Sequence, residues 1–258
     1  MNKKALLLGS VFAALAFAPQ AMAEPSQGWY AAFDLGYHWP DDVEMSSSGT
    51  ASDGNPYEYD FGMDGDVAGF ARLGYRLNEN WRLELEGGSR TSDIADVAGN
   101  PARPLPNSLC SVSSVLPACN APEGSIQSYT LMANLIYDFM PDATLNPYVG
   151  FGIGINRLEM DLSARANSGA GVIGVHDKDS VFAYQWLAGV SWEATDRLNV
   201  DVTYRYLNGA EADWESQDTF VFPVEGLSAK YVDHSLSFGL RYAFGEEAAP
   251  PPPPPPPP

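Results

Sequence analysis

Charged residues recur at alternate positions of segments in which every second residue is apolar. Those that bear on chemistry are Arg72, Glu84, Glu86, Arg205 and Arg241. Alternate side chains of a β-strand point to opposite faces, so these charges share the face opposite the apolar one. If Leu77 and Trp81 flank a short turn, Arg72 lies opposite Glu86, and Gly74 lies opposite Glu84. Enclosed opposite charges either pack as a hydrogen-bonded plug or exchange partners and let ions pass. Packing is the favoured interpretation, and a gate is the alternative.

A hydrolytic site is the enzymatic hypothesis that these segments raise. His234 and Ser235 are adjacent in sequence, and His38 lies on a strand that becomes their neighbour if the strands close into a barrel. A serine hydrolase needs its serine and its base within hydrogen-bond reach. Ser235 and His234 point to opposite faces of one strand, and no nucleophile, base and acid can be assembled. We therefore predict that the protein is not an enzyme.

Two further motifs resemble binding sites but fail on spacing. Gly150, Gly152 and Gly154 lack the final x-x-G and the following helix of a dinucleotide site, so no cofactor is expected. The segment from Pro40 to Asp66 is rich in acidic residues. Its Asp53-Gly54-Asn55 lacks the ligand spacing and the closing glutamate of a calcium loop. We expect a solvated acidic surface there and no metal site.

The two cysteines, Cys110 and Cys119, are close in sequence and follow an export signal. In an oxidising compartment a local disulfide is the expected outcome. The alternative is a metal ligand or a reactive thiol, but no histidine neighbours the pair.

Residues 1–23 have the three parts of a cleavable signal peptide. Lys3 and Lys4 are followed by an apolar stretch from Ala5 to Ala18 and by Ala21-Met22-Ala23, an A-x-A cleavage site. The apolar stretch is too short for a spanning helix, and no later stretch is long enough. The chain carries 14 Lys and Arg against 33 Asp and Glu, a net charge of −19. This balance argues against a nucleic-acid partner, which needs clustered basic residues.

Eight segments alternate between apolar and polar residues with a period of two. They are Trp29 to Trp39, Val67 to Leu77, Trp81 to Arg90, Ile126 to Phe139, Pro147 to Leu158, Val181 to Ala194, Leu198 to Leu207, and Asp233 to Phe244. Each is about ten residues or longer, the length a tilted strand needs to cross a bilayer. A closed barrel places the apolar faces against lipid and the charged faces in a lumen, and it leaves no open sheet edge. We predict an all-β fold over residues 24–245, an eight-stranded antiparallel up-and-down transmembrane β-barrel.

The connections between these segments alternate in length. Long polar connections span Pro40 to Asp66, Thr91 to Ser125, Glu159 to Ser180, and Asn208 to Val232. Short turns lie at Asn78 to Asn80, Met140 to Asn146, and Thr195 to Arg197. Outer-membrane barrels place long loops outside the cell and short turns in the periplasm. This parity predicts four extracellular loops, three periplasmic turns and two periplasmic termini.

Several local phrases resemble a known family. They are Pro147-Tyr-Val-Gly-Phe-Gly-Ile-Gly-Ile155, Phe182-Ala-Tyr-Gln-Trp-Leu-Ala-Gly-Val-Ser191, Thr195-Asp-Arg-Leu198, Tyr204-Arg-Tyr206, and Ser237-x-Gly239-x-x-Tyr242-x-Phe244. Together they are similar to the transmembrane domain of the OmpA-like outer-membrane proteins, over Trp29 to Phe244. The resemblance implies that Gly239, Tyr242 and Phe244 belong to the terminal signal read by the barrel-assembly machinery.

Residues 246–258 end in nine prolines and are predicted to be a periplasmic linker. In the OmpA-like family such a linker commonly leads to a domain that grips peptidoglycan, so peptidoglycan is an implied partner through a continuation of the chain. Outer-membrane lipid and lipopolysaccharide are the other expected partners. The predicted function is structural: anchoring in the outer membrane, display of surface loops and envelope integrity. The alternatives are a low-conductance ion pore through the salt-bridged lumen and adhesion through the long loops.

Overall fold

The regular elements found in the described part of the chain are β-strands. The computed structural model describes residues 28–50, 54–99, 109–114, 120–166, 172–215 and 226–244. The strands are β1 Gly28–Pro40, β2 Val43–Thr50, β3 Pro56–Asp64, β4 Asp66–Arg76, β5 Trp81–Gly99, β6 Leu109–Cys110, β7 Glu123–Asp138, β8 Leu145–Ala166, β9 Val172–Thr195, β10 Leu198–Glu215 and β11 Gly226–Ala243. No helix in these ranges is long and apolar enough to cross a membrane. The predicted signal peptide and the proline-rich linker lie outside the described residues.

Eight of the strands form a closed antiparallel ring. The order around it is β1, β4, β5, β7, β8, β9, β10 and β11, and β11 pairs with β1 from Tyr30–Ala243 to Pro40–Asp233. Strands β2 and β3 form a hairpin that continues β1 and β4, and it pairs with β11 on one side and β5 on the other. Strand β6 adds to the outer part of β8. The predicted eight-stranded barrel is confirmed.

The two ends of the barrel differ. At the turn end lie the short connections 77–80, 139–144 and 196–197, together with Gly28 and Phe244. Asn78 caps the first of these turns, because its Oδ1 accepts the backbone N–H of Asn80 and of Trp81 at 3.0 Å each. At the loop end lie the β2–β3 hairpin and the ends of the longer strands.

On the exterior surface of the turn-end half of the barrel, the exposed side chains are large and apolar. Examples from around the ring are Phe33, Leu73, Leu83, Leu131, Ile153, Phe182, Val190, Tyr204 and Phe238. Aromatic pairs border this band at both levels, such as Trp81 with Tyr137 at the turn end, and Trp39 with His234 towards the loop end. A band of this kind, bordered by aromatic rings, is the surface that a strand barrel presents to a bilayer.

The polarity of the two faces reverses between the turn end and the loop end. In β8 the outward Ile153 and Ile155 are exposed and the inward Asn156 is buried. Further along the strand, the outward Arg157 is exposed and the inward Leu158 is fully buried. At the loop end the interior is therefore an apolar core. Its larger members include Met45, Tyr59, Phe61, Ile126, Met160, Leu162, Val175, Trp214 and Tyr231.

This reversal explains the main departure from the sequence prediction, which treated the long connections as polar loops. Most of the residues described there belong to strands: β2 and β3 lie in the first connection, and β5, β8, β9, β10 and β11 continue beyond the predicted segments. Their outward residues are polar and solvated, and their inward residues supply the apolar core. The period of two continues, but with the polarity of a water-soluble barrel.

Candidate functional site

The lumen at the turn end contains buried charged side chains. Among the described residues these are Asp34, Arg72, Arg76, Arg82, Glu84, Glu86, Arg90, Asp138, Asp201, Arg205, Asp233 and Arg241. Six are arginines and six are carboxylates, so the set is neutral as a whole. The net charge of −19 is therefore carried outside this set. Buried charged side chains are tolerated when each is paired with an opposite charge and hydrogen-bonded.

Arg72 contacts three carboxylates from three different strands. Its Nη2 donates to Asp34 Oδ1 at 2.7 Å and to Asp201 Oδ2 at 2.9 Å, and its Nη1 donates to Glu84 Oε1 at 3.3 Å. Arg241 approaches the same Asp201 carboxylate, with Nε 3.3 Å from Oδ2. The Arg72 guanidinium thus ties β4 to β1, β5 and β10 across the lumen.

Arg205 connects Asp34 of the same cluster to Glu86 and Ser237. Its Nε donates to Glu86 Oε2 at 3.0 Å and its Nη1 to Ser237 Oγ at 2.6 Å, and its Nη2 donates to Asp34 Oδ2. The guanidinium carbon lies 4.0 Å from the centre of the Phe70 ring. Asp34 is therefore shared by Arg72 and Arg205, one on each carboxylate oxygen. A guanidinium held on both its edge and its face has little rotational freedom.

Arg82 forms a two-pronged pair at the turn end. It meets Asp138 in a two-pronged contact, with Nε to Oδ2 at 2.7 Å and Nη2 to Oδ1 at 2.9 Å. Its Nη1 also donates to Glu84 Oε1 at 3.2 Å, and its guanidinium carbon lies 5.0 Å from the centre of the Tyr148 ring. The Tyr30 hydroxyl donates to the same Glu84 oxygen at 2.6 Å.

A second cluster lies where the charged lumen meets the apolar core. The ring of His38 is fully buried, with Nδ1 2.7 Å from Asp233 Oδ2 and Nε2 3.0 Å from the Thr91 carbonyl oxygen. Both ring nitrogens therefore have a polar neighbour, and the ring is held at two points. Asp233 also faces Arg90, with Oδ1 2.9 Å from Nε, and accepts the Tyr231 hydroxyl at 3.3 Å.

The structure brings together the five charged residues selected from the sequence, with partners that differ from the strand register. Arg72 is opposite Glu86, and Gly74 is opposite Glu84, as the turn at Leu77 and Trp81 predicts. The Arg72 side chain nevertheless bonds Glu84, while Glu86 bonds Arg205.

Sequence reasoning did not include Asp34, Arg82, Asp138 and Asp201 in this network. Each of the four occupies an inward position of its strand, the same face as the residues that were selected. Their alternate positions on the inward face of each strand could have identified them from the sequence. The partner that each one pairs with depends on contacts across the lumen.

The other predicted site residues have separate places. Cys110 is fully buried in β6, while Cys119 lies outside the described residues, so the disulfide stays a prediction. Gly239 faces the lumen, where a Cβ would meet the Asp34 carboxylate. Tyr242 and Phe244 face outward, with ring centres 5.5 Å apart. Their predicted role in assembly is untested by this geometry.

Of the residues considered for hydrolysis, Ser235 and His234 lie on opposite sides of the barrel wall, whereas His38 is buried inside, opposite Ser235 in the β1–β11 register. Ser235 is fully buried inside, whereas His234 lies outside, with Nδ1 2.7 Å from the Tyr204 hydroxyl. Within the described ranges there is no group of three or more His, Cys, Asp or Glu side chains arranged to hold a metal ion.

A closed strand ring with an apolar outer band and a charged lumen defines a transmembrane β-barrel. The chain belongs to the family of the outer membrane protein beta-barrel domain, whose model matches residues 5–244. An uncharacterized protein of Brucella suis biovar 1 is 29% identical over 250 residues, covering 84% of this chain and 85% of that protein.

Two solved structures show the same fold. The outer membrane protein OprG from Pseudomonas aeruginosa has a TM-score of 0.56 and 14% identity, covering 86% of this chain and 98% of that chain. The outer membrane protease OmpT from Escherichia coli has a TM-score of 0.52 and 11% identity, covering 87% and 99%. At these identities the similarity concerns the barrel alone.

Proposed function

We propose that the protein is a structural outer-membrane barrel that anchors in the membrane, displays its loop end at the cell surface and contributes to envelope integrity. The observation that carries this proposal is the filled interior. Counted over the described residues, the turn-end lumen contains equal numbers of buried arginines and carboxylates, and the loop end contains an apolar core. Such an interior makes the barrel rigid, because ion pairs at the turn end and apolar packing at the loop end connect side chains from different strands.

The same observation weighs against the alternative, a low-conductance ion pore. An ion crossing the turn end must displace guanidinium groups that each hold several partners; Arg72 alone contacts Asp34, Asp201 and Glu84. Breaking one buried pair costs on the order of 3–5 kcal/mol. Beyond the charged layer the ion would meet side chains such as Leu162 and Trp214, which offer no compensation for lost hydration.

Planar-bilayer recording distinguishes the two functions. We expect no steady conductance from the purified protein or from Glu86→Ala, which removes one partner of Arg205. Glu159→Ala is the matched control, because Glu159 lies on the outer surface in an exposed pair with Arg157. A steady wild-type conductance that changes in Glu86→Ala and not in Glu159→Ala would establish the pore and refute the purely structural function.

The orientation is part of the proposal, with the loop end outside the cell and the turn end in the periplasm. It is supported by the alternation of short turns with long hairpins. Beyond residue 23 the sequence contains two lysines, Lys178 and Lys230, and both are exposed at the loop end.

A membrane-impermeant amine reagent applied to intact cells should therefore label both lysines. An Asn78→Lys variant adds an amine at the turn end, and this amine should react only after the cells are lysed. Labelling of Lys178 and Lys230 only after lysis would reverse the proposed orientation.

The proposed partners follow from this placement. The apolar band contacts outer-membrane lipid and lipopolysaccharide, and the barrel-assembly machinery reads the terminal strand that includes Gly239, Tyr242 and Phe244. Membership of the OmpA-like group, with a continuation beyond the proline run that binds peptidoglycan, is a further part of the proposal. The intact mass of the protein from its native membrane tests it, since a domain of about 100 residues adds roughly 11 kDa. We propose no enzymatic activity, cofactor or nucleic-acid partner.

A further inference from the structure

Among the described residues, the ladder between β9 and β10 ends before the two strands do. Their ladder runs from Leu198–Thr195 to Gly209–Ala183. Beyond this level, β9 still pairs with β8 as far as Val172, and β10 still pairs with β11 as far as Glu215. Among the described residues, however, no pairing between β9 and β10 is found from Phe182 to Val172. We call this part of the wall, β9 172–182 with β10 210–215, the seam.

A β-bulge accounts for the seam. The β10–β11 register shifts between Asn208 and Glu211, so that Gly209 and Ala210 occupy the place of one residue on β11. Inward positions are odd-numbered before the bulge, as at Leu207, and even-numbered after it, as at Trp214. A bulge bends its strand and increases the local twist. Here β10 follows β11 and separates from β9.

Two carboxylates replace the missing ladder. Asp177 accepts the backbone N–H of Lys178 at 2.8 Å on Oδ1 and that of Glu215 at 2.9 Å on Oδ2. Asp179 accepts the N–H of Ser180 at 2.7 Å on Oδ1 and that of Asp213 at 3.1 Å on Oδ2. Each carboxylate therefore bridges one N–H of β9 and one N–H of β10, where a ladder would offer carbonyl oxygens.

This arrangement requires ionised side chains. An ionised carboxylate accepts on both oxygens, whereas a protonated carboxyl or an amide has one group that donates. The charges facing the seam are His176 and Lys178 on β9, Arg157, Glu159 and Asp161 on β8, Glu211, Asp213 and Glu215 on β10, and Lys230 on β11. With Asp177 and Asp179 themselves counted, acidic groups are in the majority, so each bridging carboxylate has others of the same sign nearby.

The apolar core lies directly behind the seam. Trp214 is 2% exposed, and its indole Nε1 donates to the Leu158 carbonyl oxygen of β8 at 3.5 Å. Val181 of β9 and Leu207 of β10 border the same space and are buried. Separation of β9 from β10 would therefore expose the core to solvent at this point of the wall.

We propose that the seam is a lateral opening in the barrel wall, closed by the ionised carboxylates of Asp177 and Asp179 and released when they are protonated or replaced. The seam is a conformational device distinct from the filled lumen, and it does not depend on the proposed anchoring function. It makes the loop end responsive to acid while the membrane-level ladder stays intact.

Hydrogen exchange measured by mass spectrometry on the full chain in lipid vesicles tests this proposal. In Asp177→Asn/Asp179→Asn, the backbone amides of Asp213 and Glu215 should exchange about tenfold faster or more, which corresponds to the loss of one net hydrogen bond of roughly 1.4 kcal/mol. Peptides from the β9–β10 ladder should be unchanged. Asp161→Asn is the matched control, because Asp161 is an exposed aspartate at the same level that pairs with His176 across the β8–β9 ladder.

The wild-type protein supplies a second measurement that needs no variant. After normalisation to intrinsic exchange rates, protection of Asp213 and Glu215 should fall on acidification, and the double variant should show no such pH dependence. Equal protection in the variant and the wild type, or a loss of protection spread evenly over the barrel, would overturn the proposal.

Discussion

Arg82 and Asp138 hold each other with two parallel hydrogen bonds at the turn end, and both side chains are fully buried. Strands β5 and β7 are neighbours, and the pair joins the start of one to the end of the other across the ladder. Paired geometry of this kind orients both groups and satisfies most of their hydrogen-bonding capacity. It therefore provides a direct test of what the lumen charges contribute.

We expect Asp138→Asn to lower the free energy of unfolding by about 3–5 kcal/mol, because it leaves the Arg82 guanidinium buried with its main partner removed. The comparison is Glu159→Gln, which breaks the exposed pair with Arg157 and should cost less than about 1 kcal/mol. Urea unfolding in lipid vesicles, followed by tryptophan fluorescence, measures both. Similar losses in the two variants would mean that lumen pairing does not stabilise the barrel.

Gly74 makes room for a lumen side chain. A Cβ at this position would clash with the Tyr30 ring, whose hydroxyl donates to Glu84. Gly74→Ala should therefore cost about 1–3 kcal/mol through overpacking. Gly87→Ala is the matched control, since a Cβ there meets nothing within 4 Å. The same urea titration should show an unchanged or raised midpoint for this control.

Two buried tyrosines at the loop end should respond in opposite directions when the hydroxyl is removed. Within the described residues the Tyr59 hydroxyl has no hydrogen-bond partner, whereas that of Tyr231 contacts Ser92 and Asp233. Tyr59→Phe should be neutral or stabilise by about 1 kcal/mol, and Tyr231→Phe should destabilise by about 1 kcal/mol. A clear destabilisation by Tyr59→Phe would show that its hydroxyl is satisfied.

Tyr59 should also make the free energy of unfolding depend on pH. Burial in the apolar core raises the pKa of its phenol above the ordinary value. The folded state therefore retains this proton at pH values where the unfolded chain has lost it. The associated stability is complete below the unfolded pKa and is lost as pH rises towards the folded pKa. Alkaline unfolding should thus begin at higher pH in Tyr59→Phe, as followed by circular dichroism.

The buried His38 should contribute more to the stability of the barrel than an exposed histidine does. Replacement by leucine removes the contacts of both ring nitrogens and leaves the buried Asp233 carboxylate with fewer partners. We expect His38→Leu to cost about 1–3 kcal/mol. His176→Leu, at an exposed ion pair with Asp161, should stay within about 0.5 kcal/mol of the wild type. Equal effects in the two variants would mean that the buried contacts of the His38 ring do not stabilise the barrel.

The ring of strands, the turns and the parity of the lumen residues were predictable because period-two alternation is a local property of the sequence. The Arg72–Glu86 register followed from the short turn alone. The partners were not predictable in the same way. Arg72 reaches Asp201 across the lumen, and this contact depends on the stagger and diameter of the closed barrel.

The loop-end hairpins were missed for a different reason. In Val43–Thr50 and in the outer part of β8 the outward residues are polar, so the segments have the average composition of loops. Their alternation is as regular as that of the membrane-level strands, but the apolar residues point inward. The seam depends on a bulge at Gly209 and Ala210, and a bulge of one residue leaves little trace in a pattern with a period of two.

The reversal of polarity along β8 has a consequence for genetic variation. In a library of single substitutions, odd-numbered positions up to Ile155 should reject charged residues and those from Arg157 onward should accept them. At even-numbered positions the change should run the other way, with polar residues accepted at Asn156 and rejected at Leu158 and Leu162. The map of tolerated residues should therefore shift phase by one residue within a single uninterrupted strand, and the position of that shift around the ring would locate the water–lipid boundary without a membrane measurement.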